Sequence, residues 1–503
     1  MWSTLFMISI LLYIAYRFLK YWILDPWYIH KDLWAQGIPG QYTPVVGEIL
    51  NVRRAVLADD PLSFMIEMGK KYGSYYHTSF GPVPRLCTSD PSLIQGVLKT
   101  NARFYRKSNL MRLILGTLLG YDNLLLAEDN IHSQHRRLIA PVFQHQNINS
   151  MISLMVELTS NLLKKWKLTL HDIENKEKEL TIDMQNEMTH LTLDIVTGCV
   201  FGNGLMKNEN VREIIYRNVT TTLEDVQNRT LNMIGLIPII NRLPFPSKQR
   251  IDKSKHDVRI VIQRIIDDRK KNLTASSCKG PDLLDLILAA RGDDKISKLT
   301  DEEIYEEALT FVLAGHETTS NLMIWILYNL ANNPDVCQRL EVEVDSVLND
   351  NEEITASTLS LLTYTEAVLK ESLRLHQPVP TIVRQAVEDN MLIASDGKQI
   401  HIKKGTDIQV NFFLLHHSEK YWHEPFKFDP SRFNERHVDT YLPFSAGPRS
   451  CIGQNFAMLE AKVMLAMMIK QFRFQLVPGQ KHVPEILITM RPEYGMWMKL
   501  SSR

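Results

Sequence analysis

One stretch brings together residue types that could do chemistry: Phe444-Ser445-Ala446-Gly447-Pro448-Arg449-Ser450-Cys451-Ile452-Gly453. A single cysteine sits in a turn rich in Gly and Pro, just before a helix-like run from Gln454 to Phe472. Backbone N–H groups and the positive end of a helix dipole favour thiolate, so this setting predicts a lowered pKa for Cys451. A thiolate is a strong ligand for haem iron and pushes electron density onto it, which favours O–O cleavage. Gly447 and Gly453 let the backbone approach a flat macrocycle with no Cβ in the way. Arg449, two residues before the sulfur, offers a cation to a carboxylate. A cysteine by itself is more often an inert core thiol. Its neighbours are what point elsewhere.

Other elements must face this loop. Thr300-Asp301-Glu302-Glu303 reads as a capping box opening a helix that runs to Asn332-Asn333-Pro334. Some thirty residues at about 1.5 Å each span roughly 45 Å, enough to cross a domain. Leu322 to Leu330 is apolar nearly all round, so that half is expected to be buried. In the middle stands Ala314-Gly315-His316-Glu317-Thr318-Thr319. Gly and paired Thr there should weaken the backbone ladder, and a buried Glu beside them needs a reason. Further on come Glu371-Ser372-Leu373-Arg374, whose ends share a helix face, and Phe428-Asp429-Pro430-Ser431-Arg432-Phe433. Phe456, Met458, Leu459 and Val463 read as a core stripe, with Glu460 and Lys462 as surface residues.

Phe, Gly, Arg, Cys and Gly at offsets 0, 3, 5, 7 and 9 of the loop, with the three motifs just quoted in the same order, resemble the cytochrome P450 family from end to end. The resemblance implies a mainly α fold with a smaller β-rich portion, built around one buried haem b. It makes Cys451 the iron ligand. Phe444, Gly447, Arg449 and Gly453 would complete the loop. Ala314 and Gly315 would leave room for dioxygen, Thr318 would be its hydrogen-bond partner, and Glu317 would relay protons with water. His316 is not expected to be a ligand. Some fatty-acid hydroxylases of the family carry a Glu at the Ala314 position that esterifies haem; Ala314 cannot, so the haem should be held non-covalently apart from the iron–sulfur bond.

Two haem carboxylates need partners. In Ile131 to Phe143 the family usually has Trp four residues before an Arg; Arg136 matches the Arg, and His132 stands where Trp is usual. In Pro378 to Arg384, which should pass the haem edge, Val379 and Ile382 would face substrate and Arg384 a carboxylate. Glu371, Arg374 and Arg432 match the family's structural triad, with Ser431 where Glu is more usual.

At 503 residues the chain can bury a large core, and no linker-like stretch divides it after residue 50. Lys plus Arg equals Asp plus Glu at 57 each, so net charge implies no nucleic-acid partner. Five scattered cysteines fit neither a disulfide framework nor a zinc cluster. Residues 1–24 carry the apolar run Leu5 to Tyr16, with Arg17 and Lys20 on its C-terminal side; they read as a membrane anchor that leaves the rest in the cytosol. Residues 25–50, with Gly37-Ile38-Pro39-Gly40 and Pro44, read as a stiff hinge, and 51–503 as one catalytic domain. Asn218, Asn228 and Asn272 match glycosylation sequons that this topology would leave unmodified. The apolar run 233–240 falls where the family has its access loop.

The expected activity is insertion of one atom of O2 into a lipophilic substrate (fatty acid, sterol or xenobiotic) at the endoplasmic reticulum membrane. Electrons would come from an NADPH-dependent flavoprotein reductase, met by basic residues such as Arg137. The alternatives are a haem-thiolate isomerase or dehydratase acting on a peroxide, and a non-catalytic haem sensor.

Overall fold

The computed structural model describes residues 2–173, 179–202, 213–215, 217–218, 246–272, 282–289, 299–348, 353–435, 439–486 and 489–503. The run 233–240, Asn228 and Cys278 lie outside them.

The central element is the helix Asp301–Asn332, 32 residues long. Thr300 caps it: its hydroxyl accepts from Glu303 N, and the Glu303 carboxylate accepts from Thr300 N in return. Asn333-Pro334 ends it, because the ring of proline cannot continue the ladder. The expected interruption does not occur, and the helix is continuous through Gly315 and both threonines. Neighbouring helices pack closely against it. A Cβ on Gly315 would meet Val196 Cγ2 at 2.6 Å, so this glycine admits the helix Met184–Phe201 at close range. Thr192 of that helix donates to the His316 carbonyl at 3.1 Å, a polar tie inside the contact. From Leu322 to Leu327 every side chain is buried. Each large apolar one contributes about 1.5–3 kcal/mol by leaving water.

This helical core is flanked by a five-stranded sheet. Tyr75–Phe80 and Val83–Thr88 form a hairpin that turns at Gly81, φ +58°. Val83–Thr88 then pairs in parallel with Asp407–Asn411, and Thr381–Ala386 and Tyr105–Lys107 complete the sheet by antiparallel pairing. A separate apolar core, with Leu86, Ile408 and Val410 at its centre, backs the sheet.

The N-terminal segment departs from its expected division. Trp2–Leu19 and the turns that follow are helical without a break to Ala35, and Thr4–Ala35 is apolar and long enough to cross a membrane. Residues 25–35, expected as part of a stiff hinge, are helical and packed against the domain. Leu33 is buried in the sheet-side core, and His30 Nδ1 lies 2.8 Å from His77 Nδ1 of the hairpin. Burial pushes His77 below its ordinary value, to about 4, so it meets His30 as a neutral ring.

Candidate active site

Between the helical core and the sheet lies a cavity of about 370 Å³, lined on one side by the central helix and on the other by the loop 443–453. Thr310, Phe311, Ala314, Gly315, Thr318 and Thr319 reach it from the helix. Phe444, Arg449, Cys451 and Gly453 reach it from the loop, and Val379, Ile382 and Arg384 from the segment entering the sheet.

The loop is held in shape by its own backbone and one arginine. Cys451 N donates to the Phe444 carbonyl at 2.9 Å, closing the turn. Arg136, on the helix Asp129–Ile139, donates to the Ser450 carbonyl at 2.8 Å and to Ser450 Oγ at 3.2 Å. Gly447 has φ +75°, and a Cβ there would lie 1.8 Å from the Leu98 carbonyl oxygen, so no other residue fits. At Gly453 the nearest atom to an added Cβ is Phe143 Cε1 at 3.9 Å. That glycine is therefore not demanded by protein neighbours, and it leaves room on the cavity side.

Two cysteines line the cavity, and only one suits a metal. Cys199 lies on the helix Met184–Phe201, is 2% exposed, and burial pushes its thiol well above the usual range. Cys451 is open to the cavity. Its thiol was expected to be acidified; the structure reverses this. Burial among surrounding atoms raises its pKa, against the pull of the Gly453 N–H and the Arg136 charge. Metal binding would supply the bias toward thiolate.

Cations gather at one end of the cavity: Arg136, Arg384, Arg449 and, unforeseen from the sequence, Lys107. Burial lowers the pKa of Lys107, and the nearby Arg384 and Arg449 lower it further. Arg384 is pushed down to about 10 by the same two causes, burial and Arg449. Arg449 pairs closely with Glu128, yet its Nη1 is buried without a hydrogen-bond partner among the described residues. His132 also lines this end; burial and the adjacent cations push it to about 3, so it is a neutral ring. Glu128, and Asp129 which is itself paired with Arg106, leave a deficit of negative charge among this many cations. A flat apolar group bearing two carboxylates, as haem b does, fits that deficit.

The other expected residues divide. Thr318 lines the cavity, with its hydroxyl donating to the Ala314 carbonyl at 2.8 Å, which leaves its lone pairs free to accept. Glu317 does not line it: Thr489 donates to its carboxylate at 2.7 Å, and Asn321 at 3.4 Å. His316 is buried, with Nδ1 at 2.9 Å from the Val312 carbonyl, also away from the cavity. Gly315 borders the cavity, but its missing Cβ serves helix packing rather than space for dioxygen. Beneath the loop, Glu371 and Arg374 form a fully buried bidentate pair at 2.8 Å, with Arg432 at 3.3 Å from the same carboxylate. Arg374 also donates to the carbonyls of His416, Pro425 and Lys427. Arg137 is exposed.

Glu460 and Lys462 correct the sequence expectation. Both are buried, because the helix Gln454–Gln471 is enclosed on all sides from Glu460 to Ile469. Lys462 reaches Glu366 at 2.9 Å. Among the described residues Glu460 has no hydrogen-bond partner within ordinary distance on either oxygen, and burial, opposed only in part by the Thr319 hydroxyl, raises its pKa well above the usual carboxylate range.

A family model for cytochrome P450 matches residues 38–497. The chain belongs to the cytochrome P450 family. It is 31% identical to cytochrome P450 709B1 of Arabidopsis thaliana over 97% of each chain. It is 30% identical to leukotriene-B4 omega-hydroxylase 3 of Mus musculus, over 93% of this chain and 88% of that one. The fold matches the haem domain of cytochrome P450DA with a TM-score of 0.78 at 22% identity, over 93% of this chain and 98% of that one. The protein is thus a haem b-dependent monooxygenase of the kind that binds its iron through a cysteine thiolate and uses O2 with electrons from NADPH.

Proposed function

We propose that this monooxygenase acts on a lipophilic substrate of the fatty acid, sterol or xenobiotic type, at the endoplasmic reticulum membrane, with electrons from an NADPH-dependent flavoprotein reductase. The observation that carries the reading is the division of the cavity. Its charged side chains gather at the end where haem carboxylates would sit, whereas Leu124, Leu125, Phe311, Val379 and Ile382 supply an apolar wall. Such a wall favours a substrate recognised by shape and burial rather than by charge. The mouse relative named as a leukotriene-B4 omega-hydroxylase and the apolar N-terminal helix support the same reading.

In this proposal Cys451 is the iron ligand. Phe444, Gly447 and Gly453 shape the loop, and Arg136, Arg384, Arg449, Lys107 and the neutral His132 hold the haem carboxylates. When bound, the haem supplies activation of O2, one atom going to a C–H or C=C bond and the other to water. Thr318 accepts and passes a proton at its Oγ1, beside the open surface of Ala314. Glu317 feeds that hydroxyl only through water, since Thr489 and Asn321 hold its carboxylate outside the cavity wall. Ala314, Val379 and Ile382 meet the substrate. Glu371, Arg374 and Arg432 hold the chain beneath the loop. Anchoring by residues 1–24 would place the cavity beside the bilayer that dissolves the substrate.

The test is reconstitution of the full chain with reductase, NADPH, ¹⁸O2 and a panel of fatty acids, sterols and xenobiotics. A product carrying one ¹⁸O, with NADPH consumed, is the expected result. Oxygen taken from a peroxide without NADPH would overturn the reading. Thr318→Ala should lower product formed per NADPH and raise hydrogen peroxide released, since assistance by a positioned acid is worth about 10²–10⁴-fold in rate. Unaltered coupling in that variant would make Thr318 structural.

A further inference from the structure

Residues 120–127 connect the helix Asn109–Leu119 to the helix Asp129–Ile139 and carry Leu124 and Leu125 of the apolar wall. No helix or strand ladder holds this stretch, yet its buried N–H groups must find acceptors. Three side chains provide them. Asn123 Oδ1 accepts from Leu125 N and Leu126 N at 3.1 and 3.0 Å, within the loop. The other two come from the central helix: Glu306 accepts from Asp122 N at 2.8 Å, and Glu307 from Leu124 N at 2.7 Å. The loop is moulded on these carboxylates. Gly120 has φ +82°, and a Cβ there would lie 1.8 Å from Glu306 Oε1.

Glu307 is completely buried, and the same oxygen that meets Leu124 N lies 2.7 Å from His135 Nδ1. His135 Nε2 is 3.3 Å from Glu303. Burial disfavours a charge on His135, but the two carboxylates outweigh it and raise its pKa overall. One carboxylate thus joins three elements: the loop, the central helix, and the helix that carries His132 and Arg136 to the cavity. A buried ion pair is a poor source of stability but can specify a single arrangement.

We propose that Glu306 and Glu307, with His135, are positioning residues that fix the loop 120–127 against the central helix and so set how bulky a ligand the cavity accepts at the Leu124–Leu125 wall. This rests on reading the cavity as the haem and substrate site. Loss of the Glu307 acceptor frees Leu124 N and lets the wall retreat. Glutamine at the same place keeps an acceptor oxygen for both Leu124 N and His135, and should keep the wall where it is.

The test uses the full-length, haem-loaded protein and two ligands, imidazole and a triaryl-substituted imidazole, read by the shift of the Soret band as the ring nitrogen binds iron. The measured quantity is the ratio of their dissociation constants. In Glu307→Leu the triaryl ligand should gain about tenfold over imidazole, as expected when one buried charged hydrogen bond no longer holds the wall. Glu306→Ala should give a smaller gain in the same direction, and Glu307→Gln a ratio within about twofold of the parent. Equal ratios in all haem-loaded variants would overturn the proposal, as would a Gln variant that behaves like Leu. If Glu307→Leu takes up no haem, Glu306→Ala decides by the same ratio. Failure of the parent to bind imidazole at all would instead count against the haem site.

Discussion

Glu371 and Glu460 are both fully buried, yet they are handled in opposite ways. Glu371 accepts two bonds from Arg374 and one from Asp429 N, and lies 3.3 Å from Arg432. Glu460 has no hydrogen-bond partner within ordinary distance on either oxygen among the described residues. The Thr319 hydroxyl lowers its pKa only in part against burial. The protein therefore surrounds one carboxylate with donors, and burial favours the protonated form of the other. The difference shows that burial alone does not define a carboxylate's role; the donors that reach it do.

The contrast is broken most strongly from the paired side. Arg374→Ala removes the cation that serves Glu371 and three carbonyls, and leaves a buried charge behind. A loss of about 3–5 kcal/mol is expected, enough to abolish haem-loaded protein as read by the carbon monoxide difference spectrum. Glu371→Gln is milder. It leaves Arg374 with its three carbonyls but removes the charge from its bidentate bond, costing about 1.5–3 kcal/mol, measured as a lowered Tm at constant haem content.

Glu460→Gln sharpens the comparison with the smallest effect and the opposite sign. Because the folded pKa of Glu460 lies above its unfolded value, the folded state holds a proton that the unfolded state releases. Stability is then lost as pH rises above the unfolded value, near about 4.3, toward the folded one. Glutamine needs no proton. The variant should melt higher than the parent at pH 7.5 and closer to it at pH 5.5, with roughly 1 °C for each kcal/mol in a chain of this length. A Gln variant that melts lower at every pH would mean that Glu460 is charged and partnered, and the contrast would collapse.

The same two residues show what could be read in advance. Glu371 and Arg374 stand three apart on a helix face within a recognisable motif, so their pairing was legible. Glu460 looked like a surface residue, because a helix starting after the cysteine loop was taken to have one apolar stripe. The helix is enclosed on all sides from Glu460, as the near-continuous apolar run Ala461 to Ile469 foretells; only the partners of Glu460 and Lys462 needed the tertiary structure. Lys107 was missed for a related reason. It lies on a three-residue strand far in sequence from the loop it faces, and joins the other cations only through pairing with Thr381–Ala386. The acidity of Cys451 was misjudged because a sequence shows the dipole and the glycines but not the atoms that desolvate the sulfur.

What the sequence by itself determined is therefore local: the loop Phe444 to Gly453, the capping box at Thr300, the Pro that ends the central helix and the apolar N-terminal run. In each the residues that matter are neighbours, so spacing carries the physics. The tertiary structure decided which helix faces meet, and with them which charges are solvated. It turned Glu317 toward Thr489 instead of the cavity, closed the helix at Gly315 against Val196, and brought Glu306 and Glu307 onto the loop 120–127. Hydrogen bonds and desolvation act across space over a few ångströms, and residues 119 to 184 positions apart reach that distance only when the whole chain has packed.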